Sequence, residues 1–336
     1  MLKNDLISVV IPAYNNPEYT SKTLNSLLDQ SHRPIEIILS DDNSPDSLYS
    51  IVENFKKKID EDIIIKFFRQ NKNLGYFYNL CFCLSQVKGN FLVMIDHDDW
   101  LIDSEYFQEA ILQIKKNQTC VCSFANTFFE NVPGTYLNFY FNNWNYINGK
   151  HFLKYHLYKN INPCKSTIIF DLNKLRECKF LDYLPSPDII TNKKNIPDEG
   201  YLLLGLLLPF GDISITGKSV SVRGLPLTSL TKKNEWIKYG NNRHFVPLYN
   251  LYLYYKKIKY IEGSLVILIN LLFKFPFKGY SFEIYKYFKN DKEIIFFMIF
   301  TTFYSFFLCI LKLPKNILVF LKNLIFKFFR KRLIHD

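Results

Sequence analysis

Phe91-Leu92-Val93-Met94-Ile95-Asp96-His97-Asp98-Asp99-Trp100 is the stretch on which the fold turns. Five apolar residues predict a strand buried on both faces. Three carboxylates in four residues follow it directly. Carboxylates this close repel one another unless a cation lies between them. Hard divalent ions take oxygen ligands of this kind, commonly one or two carboxylates together with substrate phosphates. On its own the turn reads equally well as a solvated lead into a helix N-terminus, where acids are also favoured.

The same grammar repeats upstream. Leu6–Ile11 is a β-rich run that ends in Pro12-Ala13-Tyr14-Asn15. Asn16, Pro17 and Glu18 read as N-cap, first helical position and acidic first turn. Thr20, Leu24, Leu27 and Leu28 then give an apolar stripe. Ile35–Leu39 is a second strand and ends in Ser40-Asp41-Asp42-Asn43-Ser44-Pro45-Asp46. A helix over about 47–58, a strand Ile63–Phe68, a loop Asn71–Gly75 and a helix over 76–87 lead to the Phe91–Ile95 strand. A helix over about 104–116 and a strand Cys120–Phe124 complete the series. Helices alternating with strands that are apolar throughout indicate an α/β fold with a mostly parallel sheet covered on both faces. Ligands bind such sheets at the carboxyl ends of strands, so the two acidic turns are expected on one edge.

Beyond Ala125 the pattern is less regular. It shows a helix at 149–158, a strand at 167–170, a helix at 198–208 and short strands near 213–215 and 219–222. From 245 onward the chain is aromatic, aliphatic and Lys-rich. The boundary falls near 232–245, which gives a domain 1–231 and a C-terminal region 232–336.

Each acidic or aromatic element has a chemical use and a plainer one. A carboxylate at Asp41-Asp42 can accept the ring N–H of uracil or thymine, and the same residues also make good Asx-turn chemistry. Tyr14 can stack on a base or be an ordinary loop tyrosine. The seven cysteines include two Cys-x-Cys pairs, Cys81/Cys83 and Cys120/Cys122. Zinc sites use wider spacing with matching His or Cys pairs, so reduced thiols are expected instead. The first apolar run lacks a basic leader and a cleavage site, so no signal peptide is expected.

Four pieces in order now carry a resemblance. Ser8-Val9-Val10-Ile11-Pro12-Ala13-Tyr14-Asn15, Ser40-Asp41-Asp42-Asn43-Ser44, Asn73-Leu74-Gly75 with Asn79, and Gly89-Asn90-Phe91 leading to Asp96-His97-Asp98-Asp99 resemble the family 2 glycosyltransferases of the GT-A (Rossmann-like) fold. The likeness covers about residues 6–230. It implies a nucleotide-diphosphate-sugar donor, a divalent metal (Mg2+ or Mn2+) and inversion at the anomeric carbon. Carried over by position, it implies that Pro12, Ala13 and Tyr14 line the nucleotide pocket, with Asp42 on the base and Asp41 beside it. Asn73, Gly75 and Asn79 belong to the same donor side. Asp96 and Asp98 become the Asp-x-Asp pair toward ribose, metal and diphosphate, with Asp98 and Asp96 as metal ligands. His97 is read as pocket lining.

Further on, Pro197-Asp198-Glu199-Gly200-Tyr201-Leu202 resembles the family's acidic pair before a Leu-rich helix, in inverted order. The resemblance makes Glu199 the catalytic base and keeps Asp198 as a candidate. A helix N-cap with a first-turn acid reads the same residues without catalysis. Arg223 and Ser229 match loosely the stretch that lies over the diphosphate in relatives. Leu225 stands where many relatives have a His, so no third metal ligand is expected there.

Charge separates the two regions. Of 42 Lys/Arg and 31 Asp/Glu, residues 232–336 hold 19 and 6. The first region is near neutral and the tail needs an anionic partner. Ile294–Leu311 is uncharged for 18 residues, about the threshold for a spanning helix, and has Lys on both flanks. Residues 316–332 place Lys322, Lys327, Arg330 and Lys331 opposite Leu318, Leu321, Phe328 and Phe329, a basic amphipathic pattern suited to anionic lipid. A helical bundle packed on the enzyme, or a dimer interface, is the plainer reading.

The expectation is therefore a glycosyltransferase on the cytoplasmic side of the cell membrane, held there by peripheral, re-entrant or single-span association. It would use a UDP- or dTDP-sugar and a glycan or lipid-linked glycan acceptor in cell-surface polysaccharide biosynthesis. Oligomeric state is left open, a homo-oligomer included. Nucleic acid is not expected as a partner. The rival readings are an inactive sugar-nucleotide-binding scaffold and a basic nucleic-acid-binding protein. No Gly-x-Gly-x-x-Gly follows the first strand, so a dinucleotide oxidoreductase is not expected.

Overall fold

The computed structural model describes residues 5–135, 141–153, 163–184, 199–225, 245–260, 263–264 and 267. The expected tail segments 294–311 and 316–332, together with Asp198 and Ser229, lie outside these residues. The chain divides into two compact units. The first comprises Met1–His156, Ile161–Leu184 and Glu199–Lys238, and the second Leu157–Asn160, Pro185–Asp198 and Tyr239–Asp336.

The first unit is built on one mixed, mostly parallel sheet. Strands β1 (Ile7–Ala13), β2 (Ile35–Asp41), β3 (Ile63–Arg69) and β4 (Phe91–Met94) run parallel in the order β3-β2-β1-β4. Every residue of β1, β2 and β4 is buried, which is why their sequences are apolar along their length rather than alternating. The exceptions are paired across the sheet. Ser8 lies opposite Glu36 and donates its hydroxyl to the Glu36 carboxylate at 2.6 Å. Lys66 on β3 ion-pairs with the same carboxylate, and the Lys88 amide donates to it at 2.9 Å.

Beyond β4 the sheet becomes mixed. The order continues β9 (Ile169–Asp171), β6 (Cys120–Phe129), β10 (Asp212–Arg223) and β5 (Asp99–Leu101). β6 and β10 are parallel, whereas β9 runs antiparallel to β4 and β6, and β5 antiparallel to β10. Strands β7 (Val132–Thr135) and β8 (Asn145–Asn148) pair antiparallel with β6 and β10. The expected short strands at 213–215 and 219–222 are one strand with register shifts. β5 has no counterpart in the sequence reading, because three residues carry no periodic signal.

Helices α1 (Pro17–Leu28), α2 (Tyr49–Lys56), α3 (Tyr76–Ser85) and α4 (Tyr106–Lys116) fall where the stripes predict them. Leu24 and Leu27 of α1, Val52 and Phe55 of α2, and Tyr106, Phe107, Ala110 and Ile111 of α4 share one core with β1, β2 and β4. Pro17 occupies the first turn of α1, but Asn16 makes no side-chain cap. Its backbone is left-handed instead, and its carbonyl accepts from the Thr20 amide at 3.0 Å. Two shorter helices follow, α5 (Leu172–Glu177), capped by the Asp171 carboxylate, and α6 (Glu199–Leu207), whose Leu202–Leu208 stretch is buried. Of the expected 149–158 helix, residues 149–153 are described and helical.

In the second unit the described part is α7 (Phe245–Lys257) and the residues just after it. Tyr255 meets Tyr260 edge-on at 5.2 Å, and Lys256 and Lys257 close the last turn. Among the described residues no helix is long and apolar enough to cross a membrane.

Candidate functional site

β1 lies between β2 and β4, and the chain leaves all three strands at the same edge. Ala13, at the end of β1, accepts from the Asp42 amide at 2.8 Å, and Val10 accepts from the Ile95 amide at 3.0 Å. These ladder bonds carry Pro12-Ala13-Tyr14, Asp41-Asp42 and Asp96–Asp99 to one side of the sheet, where parallel sheets bind ligands. Tyr14 is 42% exposed there, so its ring face is available for stacking. Asn15 and Asn16 follow with positive φ, and the Ser44 hydroxyl accepts from the Asn15 amide at 2.8 Å.

The first acidic turn is closed by its own surroundings. Asp41 is fully buried and accepts from the Ser44 amide at 2.9 Å, from the Ser44 hydroxyl at 2.5 Å and from Arg69 at 2.8 Å. Asp42, 2% exposed, accepts from the Leu74 amide at 2.6 Å and the Gly75 amide at 2.8 Å, one on each carboxylate oxygen. Burial pushes the Asp42 carboxyl up, these two amides pull it back, and the neighbouring Asp41 leaves it raised. Asn79 holds the end of β2 to α3: its amide donates to the Ser40 carbonyl at 2.8 Å and its oxygen accepts from the Ser40 hydroxyl at 2.5 Å. Gly75 has φ 87, a conformation that side chains rarely adopt, at the entry to α3. Asn73 is exposed on the same loop.

The second acidic turn is arranged differently. Asp96 Oδ1 lies 2.7 Å from Lys165 Nζ. Burial would raise this carboxyl, but Lys165 and then Arg223 outweigh it and hold Asp96 below its ordinary value. Asp98 and Asp99 are both pushed up to about 7, by burial first and then by the Asp96 charge, with Arg223 acting against the rise. Asp99 Oδ2 accepts from the Ser166 hydroxyl, while the buried Asp99 Oδ1 has no hydrogen-bond partner among the described residues. His97 is held below its usual value mainly by burial, and its Nε2 stands 3.4 Å from the Asn16 amide nitrogen. Thr23 of α1 ties the turn down: its hydroxyl lies 2.9 Å from the His97 carbonyl and 2.7 Å from the Asp99 carbonyl and shares its one proton between them.

Arg223 reaches this cluster through β10, where it pairs in register with Asp99 of β5. The next residue, Gly224, donates its amide to the Asp98 carbonyl at 2.8 Å, and a Cβ there would fall 2.0 Å from that oxygen. Glu199 begins α6, and Asp198 lies outside the described residues. The structure thus brings Asp96, Asp98, Asp99 and Arg223 together, and places Asp42, Gly75 and Asn79 in one loop system.

The sequence reading missed Lys165, Ser166 and Tyr76. Lys165 lies in a short 3-10 turn (Lys165–Thr167) before β9, and its ammonium donates to the Tyr76 hydroxyl. Its signal was a single charge in the otherwise uncharged run Ile161–Phe170.

Among the described residues no group of three or more His, Cys, Asp or Glu side chains forms a metal-holding cluster. The donor set at Asp96–Asp99 still fits a hard divalent ion in part. It offers the carboxylate oxygens of three Asp side chains, two of these groups, Asp98 and Asp99, have their charge disfavoured without a counter-ion, and the buried Asp99 Oδ1 has no hydrogen-bond partner among the described residues. Such a site would take the rest of its ligands from phosphate and water.

The family model described as glycosyl transferase family 2 matches residues 8–176. The chain belongs to that family. Over 124 residues it is 34% identical to the GalNAc(5)-diNAcBac-PP-undecaprenol beta-1,3-glucosyltransferase of Campylobacter jejuni, covering 37% of this chain and 38% of the relative. Over 134 residues it is 32% identical to the putative teichuronic acid biosynthesis glycosyltransferase TuaG of Bacillus subtilis, covering 40% and 51%. The matches therefore span about half or less of each relative. Among solved structures, S. aureus TarS 1–349 in complex with UDP-GlcNAc superposes with a TM-score of 0.58 at 18% identity, over 88% of this chain and 79% of that one. A Pyrobaculum calidifontis mannosyltransferase in complex with GDP-Man and Mn2+ gives 0.51 at 12% identity, over 88% and 83%. At these identities the likeness carries the α/β GT-A architecture.

Proposed function

We propose that this family 2 member is an inverting glycosyltransferase that uses a nucleotide-diphosphate sugar, with UDP or dTDP favoured. The observation that carries the reading is the meeting of three strand ends on one sheet edge: Tyr14 after β1, the Asp42 loop after β2, and the Asp96–Asp99 turn after β4. One end offers an aromatic face, one a carboxylate already aimed at N–H donors, and one an acidic turn with Arg223 and Lys165 beside it. The complexes of TarS with UDP-GlcNAc and of the Pyrobaculum enzyme with GDP-Man support a sugar nucleotide as the ligand class.

Asp98, with Asp96, would hold Mg2+ or Mn2+. When bound, the ion supplies neutralisation of charge on the departing nucleoside diphosphate. The chain's own residues do the rest. Asp42 accepts a ring N–H of the base, Tyr14 stacks on it, and Arg223 adds positive charge at the diphosphate. Glu199, at the N-terminus of α6, takes the proton from an acceptor hydroxyl as its oxygen attacks C1 of the sugar, while the bond from C1 to the diphosphate oxygen breaks. Asp198 is the second candidate for that proton.

The acceptor is a hydroxyl of a glycan or lipid-linked glycan in surface polysaccharide synthesis. The undecaprenol-linked substrate in the Campylobacter relative's name and the teichuronic acid in TuaG's support this class. The basic, aromatic 232–336 region would keep the enzyme at the cytoplasmic face of the membrane.

The test is nucleoside diphosphate release from a panel of sugar nucleotides, with binding followed in parallel. Glu199→Gln is expected to keep donor binding and lose transfer by about 10²–10⁴-fold, the usual worth of a general base. Normal turnover in both Glu199→Gln and Asp198→Asn excludes the base assignment.

A further inference from the structure

Lys165 joins two parts of the site that the motifs treat separately. Its ammonium lies 2.7 Å from Asp96 Oδ1 and 4.3 Å from the centre of the Tyr76 ring, and it donates to the Tyr76 hydroxyl. Tyr76 is the first residue of α3, directly after Gly75, whose amide donates to Asp42. A continuous path therefore runs from Asp42 through Leu74-Gly75-Tyr76 to Lys165 and Asp96.

The turn that carries Lys165 is rigidly placed. The Cys164 carbonyl accepts from the Thr167 amide at 2.9 Å and from the Thr167 hydroxyl at 2.8 Å. The Thr167 hydroxyl shares its one proton with the Ala125 carbonyl, 2.9 Å away, and Ser166 holds Asp99. The Lys165 side chain is 17% exposed. A lysine anchored in this way has given up most of its hydration for fixed partners, unlike an ordinary surface lysine.

Charge shows what the arrangement is for. Asp96, Asp98 and Asp99 concentrate negative charge where an anionic diphosphate is to bind. An ammonium on Asp96 offsets part of it with no metal present, and a divalent ion drawn to the same oxygen must compete with that ammonium.

We propose that Lys165 is a positioning residue for the donor diphosphate: it supplies the acidic turn with a built-in counter-charge, so that a nucleoside diphosphate binds with a component that needs no divalent ion. The inference rests on the sugar-nucleotide reading of the site.

The experiment measures two affinities on the full chain: UDP in EDTA by calorimetry, and Mn2+ alone by the loss of its free-ion paramagnetic signal. Wild type is expected to bind UDP in EDTA, and Lys165→Met to bind it about tenfold more weakly or worse, as the loss of one counter-charge beside the diphosphate implies. Lys165→Arg is expected to restore most of it. Mn2+ alone is expected to bind Lys165→Met more tightly than wild type, an opposite sign that a damaged fold does not produce. Equal UDP affinity in EDTA for wild type and Lys165→Met overturns the proposal. So does an Arg variant as weak as the Met variant, or wild-type UDP binding seen only with Mn2+. If wild type binds none of UDP, dTDP and GDP, with or without Mn2+, the sugar-nucleotide reading itself fails, and the inference with it.

Discussion

The turns after β2 and β4 are written in nearly the same letters, Ser-Asp-Asp-Asn and Asp-His-Asp-Asp, yet the fold treats them in opposite ways. After β2 both carboxylates are met by donors: Asp41 by Ser44 and Arg69, Asp42 by the Leu74 and Gly75 amides. After β4 the carboxylates crowd one another. Lys165 meets Asp96, Ser166 meets one oxygen of Asp99, and Asp98 and Asp99 are left with their charge disfavoured. A carboxylate met by backbone amides, as Asp42 is, is fixed in place as a neutralised acceptor. One left crowded keeps its charge for a cation. The lesson is that acidic residues after a strand identify a cation site only when the rest of the molecule leaves them incompletely satisfied.

The contrast is sharpest in Asp98→Asn against Asp41→Ala. Asp98→Asn is expected to lower transfer by about 10²–10³-fold, the scale for removing one electrostatic contact to a developing charge, with a melting temperature equal to or above wild type. The stability follows because one of three crowded, mutually repelling carboxylates is gone. Asp41→Ala should do the reverse. It removes the partner of Arg69 and the acceptor for the Ser44 amide and hydroxyl, and should cost about 2–4 kcal/mol in a urea titration. If Asp98→Asn unfolds the protein and Asp41→Ala leaves it intact, the distinction between the turns is wrong.

A smaller effect tests whether buried carboxylates elsewhere follow the closed pattern. Glu36 is buried between Ser8, Lys66 and the Lys88 amide. Burial alone would raise its carboxyl, but those partners hold it below its ordinary 4.5. A folded-state value below the unfolded one contributes stability that is present above the unfolded value and lost as pH falls through the folded value. Glu36→Gln should therefore cost about 1–2 kcal/mol at neutral pH, and the gap from wild type should narrow below about pH 4. A gap that stays constant with pH would show that the Glu36 charge is not what matters.

The smallest expected effect belongs to Gly75. An added Cβ meets nothing within 4 Å among the described residues, so Gly75→Ala tests the φ of 87. The cost should be about 1 kcal/mol of stability, with nucleotide binding weakened only as far as the Leu74 and Gly75 amides shift on Asp42. Chemical denaturation and UDP titration of the same variant separate the two effects.

Much of the fold is legible because it rests on local pattern. The apolar runs at Leu6–Ile11, Ile35–Leu39 and Phe91–Ile95 read as strands buried on both faces, and the stripes of α1 and α4 mark which helix faces cover them. The mixed half of the sheet was less readable. β5 has three residues, too few to show a period; β9 falls where a strand at 167–170 was expected, but its antiparallel direction is fixed by which neighbours accept it. The candidate site divides in the same way. Asp42 and Asp96–Asp99 announce themselves by composition and place. Lys165 and Ser166 do not, since nothing local says that a lysine before β9 will face a carboxylate after β4.

The amino-acid sequence by itself determined the alternation of strands and helices, the presence of two acidic turns on one sheet edge, and the concentration of basic charge after residue 232. These follow from periodicity, turn chemistry and composition, which act over a few residues at a time. Only the tertiary structure decided which acidic turn is closed and which is open. That outcome depends on Arg69 crossing from β3 to Asp41, on the β5–β10 register that sets Arg223 opposite Asp99, and on the antiparallel insertion of β9 that brings Lys165 to Asp96. Charge pairing between distant residues is set by register and packing, and neither exists until the whole sheet has assembled.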